Sequence, residues 1–595
     1  SHLLKHRIVA VDSFHFCPTA SHQKLLCVLE EYTEQIRRNC YLKDSTGVEN
    51  SYVENLIYYI RPILSLWLYQ IEVISNAIEC HLPEKVVSVR PEPLHMEQSA
   101  SIENNERFIA DIAGQICNAK KIVFKSISLQ IDSKNFRKMI SRFLKRTLSG
   151  ILCSVIQKIN NPEKKLIIAP AIDFQMDKVL NDLKRKFSDN YSLAVIGLSF
   201  KATFRNICGL FTDYRPDYGF LPCHKNRNIN GDSVFIEKRN KFSEKLFKII
   251  NGWKYRGVNL GSWLKQRYKY SLESEIIDKT YGHSYNLNKY LDKWEPVFVL
   301  SQFSRMFSAV LGELCDLKNI PSMMIPHGSF TPAYDEYSEK EWKENALGII
   351  NTPYKYVAVQ TPLAERFLSD INYKSKPVIT GPLLFGRKIN KTTGILELRR
   401  RFTSGKDYII LHAGTAKGRA SCRLLNYETI DEYVDGMASL INAVSKLKKV
   451  HLIIRYRIVD GLDHNKLKEI LPKSDSYSIA TDGIFSDYLL ISDLLVSFSS
   501  TTMEEALQNN IPVLLFNKYN RYQHIRGTEL SLRGAGFTPS ALYNVNYEDD
   551  LLFALKWIIS NHLSKKIDPG ELFSKYKYTD SEIINLPKFV KGVLE

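Results

Sequence analysis

Short, almost wholly apolar runs recur along the chain, and most are followed by a stretch whose apolar residues fall every three or four positions. Lys165–Ala169, Ser192–Leu198, Pro296–Leu300, Tyr354–Gln360, Pro377–Thr380, Tyr408–Leu411, Val450–Arg455, Leu494–Phe498 and Ile511–Phe516 have the composition of strands buried on both faces. Between and after them the periodicity predicts helices over Met176–Phe187, Ser304–Leu317, Pro362–Leu368, Glu432–Leu447, Leu551–Ser560 and Ile583–Leu594. Earlier in the chain the same reading gives a strand at Arg7–Val11, a helix from His22 to about Arg38 and core helices over Val53–Ile78 broken near Pro62. Further strands at Lys85–Val89 and Lys121–Phe124 flank a helix over Asn105–Asn118. Alternation of strand and helix on this scale predicts parallel α/β sheets.

The pattern loosens twice. Between Thr203 and Tyr290 it gives way to aromatic and basic residues, which read either as an insertion carrying ligand contacts or as an irregular helical cap. Leu383–Asp407 reads as a linker. The expected division is an N-terminal domain over 1–382 with an insertion at about 203–290, a linker over 383–407 and a C-terminal domain over 408–595.

At 595 residues the chain is too long for one core. Its 44% hydrophobic and 24% charged residues belong to a globular protein. The formal charge of +17 favours anionic partners. No RNA-binding signature or zinc-finger spacing accompanies that charge, so nucleic acid is not the expected partner. Ten cysteines are scattered without a Cys-x-x-Cys pair, which argues against a zinc site or a disulfide framework. No signal peptide and no apolar run of membrane-spanning length is found, so a cytoplasmic protein is expected. Lys134–Lys158 interleaves basic and apolar residues at helical spacing. It is expected either to lie peripherally on an anionic inner membrane or to pack as a surface helix.

The chemistry concentrates in three places. Ser499, Ser500, Thr501 and Thr502 follow an apolar strand, and Thr501-x-x-Glu504 and Thr502-x-x-Glu505 form overlapping capping-box patterns. The expectation is a hydroxyl-rich helix start that presents backbone N–H groups to an anion, a phosphate above all. One hydroxyl capping the helix, with the others as turn residues, is the plainer reading. Gly414-Thr415-Ala-Lys417-Gly418-Arg419 follows another strand, and its glycines and cations suit a diphosphate or sugar phosphate. Its spacing is neither a Walker A loop nor a dinucleotide fingerprint. His327-Gly328 stands at the end of a third strand, where α/β sheets bind ligands; a structural histidine is the alternative. Arg455 and Arg457 end the strand from Val450 and read either as phosphate ligands or as surface charge.

In this order, Pro326-His327-Gly328, the linker, the glycine-rich loop and Ser499–Thr502 with Glu504-Glu505 resemble GT-B glycosyltransferases and the sugar-nucleotide 2-epimerases of the same fold. The resemblance is clearest over about Trp294–Asn517. It implies an α/β protein of two Rossmann-like domains facing an interdomain cleft. It is nearest to bacterial surface-polysaccharide transferases that use CMP-activated sugars such as Kdo or nonulosonates, and to glycerophosphotransferases of teichoic acid synthesis. Many transferases using cytidine-nucleotide sugars carry His-Pro where Arg455-Tyr456-Arg457 stands here.

The activity so implied is transfer of a sugar from a nucleotide-sugar donor, CMP-sugar favoured, to a surface glycan or glycolipid, with no cofactor and no obligatory metal. Gly414, Thr415, Lys417, Gly418, Arg419, Arg455, Arg457, Ser499–Thr502 and Glu505 would surround the donor, and Asp12, Glu92, Asp173, Asp213 and His327 are the candidates for acid–base or nucleophilic roles. A 2-epimerase and a noncatalytic glycan- or membrane-surface protein are the rival expectations.

Overall fold

The computed structural model describes residues 13–93, 107–131, 165–170, 176–187, 191–197, 219–221, 232–328, 330–389, 393–402, 407–414, 423–425, 428–458, 462–565 and 567–595. Two seven-stranded sheets organise them. The first runs, in spatial order, Lys376–Ile379, Tyr356–Val359, Ser322–Met324, Phe298–Ser301, Lys165–Pro170, Tyr191–Ile196 and Gly219–Leu221. The second runs Tyr477–Ala480, Val450–Tyr456, Tyr408–Gly414, Leu494–Ser497, Val513–Phe516, Leu542–Val545 and Thr528–Glu529. All neighbouring strands in both sheets pair in parallel.

Apolar runs form these strands because each face is covered. In the second sheet Ile410, Leu494, Val496 and Leu514 enter one core, while Ile409, Leu411, Leu495, Val513 and Leu515 enter another on the opposite face. The first sheet divides its residues in the same way: Leu166, Ile168, Val299 and Met324 face one core, and Ile167, Ala169, Leu300 and Met323 the other. The architecture is therefore the GT-B type expected from the sequence, with two Rossmann-like sheets covered by helices.

The chain crosses between the sheets twice. After Lys376–Ile379 it passes through Pro382–Ile389 and the helix Thr393–Phe402 to the second sheet. At the other end it returns: Ile584 N–H bonds the carbonyl of Ile379 at 2.8 Å, and Leu586 and Val590 of the helix Leu586–Leu594 join the core around Met176 and Leu180.

A helical layer covers one face of the first sheet, and here the structure departs from the sequence reading. Asn50–His81 is one continuous helix of 32 residues with Pro62 inside it. An internal proline costs a helix about 3 kcal/mol. The cost is outweighed by the apolar surface this helix buries, Ile57, Ile60, Ile63, Leu64, Trp67 and Leu68 among it.

The strand expected at Lys85–Val89 forms as Lys85–Pro93, and among the described residues it pairs with Val123–Ile131, in a two-stranded sheet apart from the first large one. The described part of the aromatic insertion is mainly helical, apart from the strand Gly219–Leu221 of the first sheet and the short hairpin Lys254–Tyr255/Val258–Asn259, and many of its rings are core. Trp253 stacks on Tyr32 at 4.3 Å, Tyr281 on Phe235 at 3.8 Å, and Tyr255, Tyr268 and Tyr290 are buried with them. These aromatics hold the helical layer together instead of lining a ligand site. The segments expected at Arg7–Val11 and Lys134–Lys158 lie outside the described residues. Among the described residues no helix is long and apolar enough to cross a membrane.

Candidate functional site

Both sheets have a topological switch point, where consecutive connections leave a strand in opposite directions and open a crevice at the carboxyl ends. In the second sheet it lies between Tyr408–Gly414 and Leu494–Ser497: the chain moves from the first of these outward to Tyr477–Ala480, then returns to the other side. Gly414 and the hydroxyl turn, some 80 residues apart in sequence, thus end adjacent strands. Ser497 Oγ donates to the carbonyl of Ala413 at 2.7 Å and ties the two strand ends.

The turn itself differs from the capping-box expectation. The helix is Thr502–Gln508, and Thr501 makes no side-chain cap. Ser500 Oγ accepts from the Thr502 N–H at 3.3 Å, a turn-type bond. Glu504 is buried, and its Oε1 accepts from Thr361 Oγ1 of the first domain at 3.3 Å. Glu505 is half-buried on the helix, and its backbone carbonyl accepts from Asn509 Nδ2 at 2.9 Å. Thr502 Oγ1 is buried and hydrogen-bonds to nothing among the described residues. A buried hydroxyl of this kind costs free energy unless something meets it.

Gly414 sits close against the Tyr433 ring: a Cβ there would come within 3.2 Å of Cε2, and the ring would have to give by a few tenths of an ångström. Thr415, Lys417, Gly418 and Arg419 lie outside the described residues, as do Asp12, Asp173 and Asp213. Arg455 is committed elsewhere: its guanidinium donates to the carbonyls of Ala480 at 3.0 Å and Gly483 at 2.8 Å, over the Tyr488 ring at 5.4 Å. That geometry fastens the strand end to its neighbour. Arg457 is exposed just past the strand. Glu92 lies on the small two-stranded sheet, opposite Gln130.

His327 follows Ser322–Met324, next to the first sheet's switch point. Its Nδ1 lies 3.2 Å from the carbonyl of Gln302, which only accepts, so Nδ1 carries the proton and Nε2 of the neutral ring is an acceptor. Burial holds the imidazole below its ordinary pKa, the Gln302 carbonyl opposing. Gly328 has no left-handed backbone, and a Cβ there would meet only Phe330 at an ordinary 3.6 Å, so the turn does not demand glycine. Just beyond, Thr331 Oγ1 donates to the carbonyl of His524 at 2.5 Å, and Trp342 lies 5.2 Å from the His524 ring. The segment after the histidine therefore meets the second domain.

Several residues beside the second switch point carry no signal in local sequence. His412 is buried on the strand Tyr408–Gly414 with its ring 5.6 Å from Tyr433, and burial pushes its pKa down to about 4. Glu428 is pushed up to about 8 by desolvation and by Glu432 beside it, with Arg521 opposing. Glu432 caps the helix Ile430–Val444 in a complete capping box with Thr429 and pairs with buried Arg521. Arg521 also lies over Phe498, the residue before the hydroxyl turn, at 5.6 Å. Chain segments roughly 90 residues apart supply this cluster, and no periodicity joins them. Among the described residues, no group of three or more His, Cys, Asp or Glu is placed to hold a metal ion.

No protein-family model matches the chain, and no curated protein matches it. Among solved structures, a UDP-GlcNAc 2-epimerase from Neisseria meningitidis bound to UDP-GlcNAc is similar at 14% identity and a TM-score of 0.39, over 72% of this chain and 98% of that one. A glycosyltransferase from Rickettsia africae is similar at 14% identity and a TM-score of 0.40, over 73% and 97%. A UDP-GlcNAc 2-epimerase from Methanocaldococcus jannaschii is similar at 11% identity and a TM-score of 0.37, over 72% and 98%. Likeness at this level carries no argument about chemistry or substrate.

Proposed function

We propose that the chain is a nucleotide-sugar enzyme, and that it transfers a sugar from the nucleotide, CMP-sugar favoured, to a glycan or glycolipid acceptor of a bacterial surface polysaccharide. The observation that carries this reading is the switch point of the second sheet, where Gly414 and the hydroxyl turn meet and Thr502 Oγ1 is buried without a partner among the described residues. A donor phosphate seated there would accept from the hydroxyls and from backbone N–H groups. The same donors would stabilise the charge that develops on the leaving phosphate, with no metal required. Lys417 and Arg419 are proposed to neutralise the charge of the donor phosphate. His327, neutral and with Nε2 as acceptor, is suited to take a proton from an acceptor hydroxyl. Asp12, Glu92, Asp173 and Asp213 remain the carboxylate candidates for that step or for a covalent one.

One observation favours a second reading. Acceptor contacts in the 203–290 insertion would favour a transferase over a 2-epimerase, and the described Trp253, Tyr255, Tyr268, Tyr281 and Tyr290 of that insertion are buried in the helical layer. A sugar-nucleotide 2-epimerase, which needs no acceptor, therefore stands beside the transferase. The two separate in one experiment: CMP-, UDP- and GDP-sugars are incubated with the protein, with and without glycolipid acceptors, and followed by NMR. Acceptor-dependent release of nucleotide supports transfer. Inversion at C2 without acceptor supports epimerisation, and unchanged sugar nucleotides in every arm refute both.

A further inference from the structure

A second cavity lies at the opposite end of the C-terminal sheet from the donor crevice. It has a volume of about 980 Å³ and sits beneath the amino ends of two central strands, against Ser492-Asp493 and Ile511-Pro512. Its walls come from both connections between the domains, Gly386–Ile389 on the outward crossing and Lys577-Tyr578 on the return. The volume is in the range of small-molecule sites.

Its charge is one-sided. Among the described residues, Arg387, Lys388, Arg399, Lys565 and Lys577 line it against a single carboxylate, Asp493. Arg399 answers that carboxylate, donating to both oxygens at 3.0 and 2.9 Å, and Arg387 reaches out to Asp182 at 3.0 Å. The three lysines remain. Lys577 hydrogen-bonds Asn510 Oδ1 and lies over the Phe573 ring at 5.8 Å. Burial and the nearby Lys388 both lower its pKa, and both lysines line the cavity, whose described wall holds no carboxylate but Asp493.

The polar side chains of the wall are already engaged. Gln508 Nε2 donates to the carbonyl of Tyr576 at 2.6 Å, Asn509 Oδ1 accepts from Ile389 N–H at 3.0 Å, and Ser492 Oγ donates to the carbonyl of Tyr488 at 2.6 Å. Little is left to read a base or a sugar. The rest of the wall is branched aliphatic or aromatic, with Ile389, Ile395, Leu396, Ile511, Leu572 and Phe573 its main apolar groups.

We propose that this cavity binds a single-chain anionic amphiphile, its phosphate head held by Lys388 and Lys577 and its hydrocarbon body laid on the aliphatic wall. The inference is independent of the donor reading. The test is calorimetric titration of the full chain with dodecyl phosphate below its micellar concentration, beside inorganic phosphate and dodecyl maltoside. The expected result is saturable one-to-one binding of dodecyl phosphate, with both controls weaker by at least about tenfold.

Lys388→Ala/Lys577→Ala weakens dodecyl phosphate binding by a similar factor. Leu396→Asp, at a side chain 54% exposed and therefore tolerant of a charge, also weakens it and serves if the double variant melts early. Equal binding of the maltoside shows that the head group is not read and overturns the proposal. Affinity unmoved by all three substitutions places the alkyl phosphate elsewhere, the donor crevice included, and also overturns it, as does the absence of saturable binding.

Discussion

Replacing Arg521 by methionine tests how the donor side of the crevice is held. Arg521 and Glu432 are both buried, at 7% and 3% exposure, and form an ion pair. Arg521 Nε also donates to the carbonyl of Leu425 at 3.3 Å, while Glu432 Oε2 accepts the Thr429 N–H at 2.8 Å and so caps the helix Ile430–Val444. Methionine fills similar volume but leaves Glu432 buried and unanswered, beside Glu428. Removing one partner of a buried pair costs about 3–5 kcal/mol. For a domain of this size that is a fall in melting temperature of roughly 6–20 °C.

The pH dependence gives the argument a sign. Burial alone would raise the Glu432 pKa, but the Arg521 charge and hydrogen bond bring it below the ordinary value. In the wild type its contribution is therefore complete at both pH 7.5 and pH 5, being lost only as pH falls through the lowered pKa. In the variant Glu432 takes up a proton on acidification, so the deficit at pH 7.5 shrinks at pH 5. Glu432→Gln added to Arg521→Met recovers at least half of the loss, because the unpaired charge is gone. Scanning calorimetry at both pH values reads all of this. A fall under 2 °C for Arg521→Met, or a deficit that grows at pH 5, would refute the reasoning.

Global stability is expected to peak near pH 6–6.5. Glu30 is raised to about 7, chiefly by burial with Arg61 opposing, and Glu428 to about 8, so folding takes up protons and stability falls as pH rises through that range. His22, His412 and His524 are lowered by burial to about 4, 4 and 3, so stability falls again as pH drops below the ordinary histidine pKa of about 6.5. Melting temperatures across pH 4.5–8.5 check the shape, and Glu428→Gln flattens the alkaline side. Gly312→Ala places a Cβ 2.5 Å from Cε2 of buried Tyr354, whose hydroxyl donates to the Ser308 carbonyl at 2.7 Å. It is expected to cost about 1–3 kcal/mol, read by urea denaturation, and an unchanged midpoint contradicts the packing. Gly348→Ala meets both a positive φ of 80° and the Ser304 carbonyl at 2.5 Å, and is expected to lower the yield of folded protein more than Gly312→Ala does.

The parts of the fold legible in sequence were those in which local pattern and burial agree. Met176–Phe187 is bounded as its periodicity predicts, and four strands of the second sheet, Tyr408–Gly414, Val450–Tyr456, Leu494–Ser497 and Val513–Phe516, stand out because both faces are buried, whereas Tyr477–Ala480, Thr528–Glu529 and Leu542–Val545 were not read from the sequence. What pattern does not encode is partnership. Lys85–Pro93 has the alternation of a strand, but nothing in it says that its partner among the described residues is Val123–Ile131. Pro62 signals a break only if its helix lacks other support, and the surrounding core supplies that support. Aromatic density between Thr203 and Tyr290 read equally as ligand contacts or as a helical cap, and the described Trp253, Tyr255 and Tyr281 are packing groups, as in a cap. At the site, the hydroxyl turn and Gly414 were visible as motifs, and their adjacency followed from sheet order. His412, Glu428 and Arg521 were not visible, because their environments are assembled from distant segments. The capping box that forms is Thr429–Glu432, not the patterns at Thr501 and Thr502.

The central claim is that the second switch point holds the phosphate of a nucleotide sugar, and Thr502→Val tests it most directly. The substitution is nearly isosteric and removes a hydroxyl that makes no bond among the described residues, so the melting temperature is expected to stay level or rise. The protein is titrated calorimetrically with CMP, CDP, UDP and GDP in the presence of EDTA. The account predicts that one of them binds the wild type, and that Thr502→Val binds it at least about tenfold more weakly, the worth of one hydrogen bond to a charged group. Binding of none of the four to the wild type, or equal affinity of the folded variant, would contradict it.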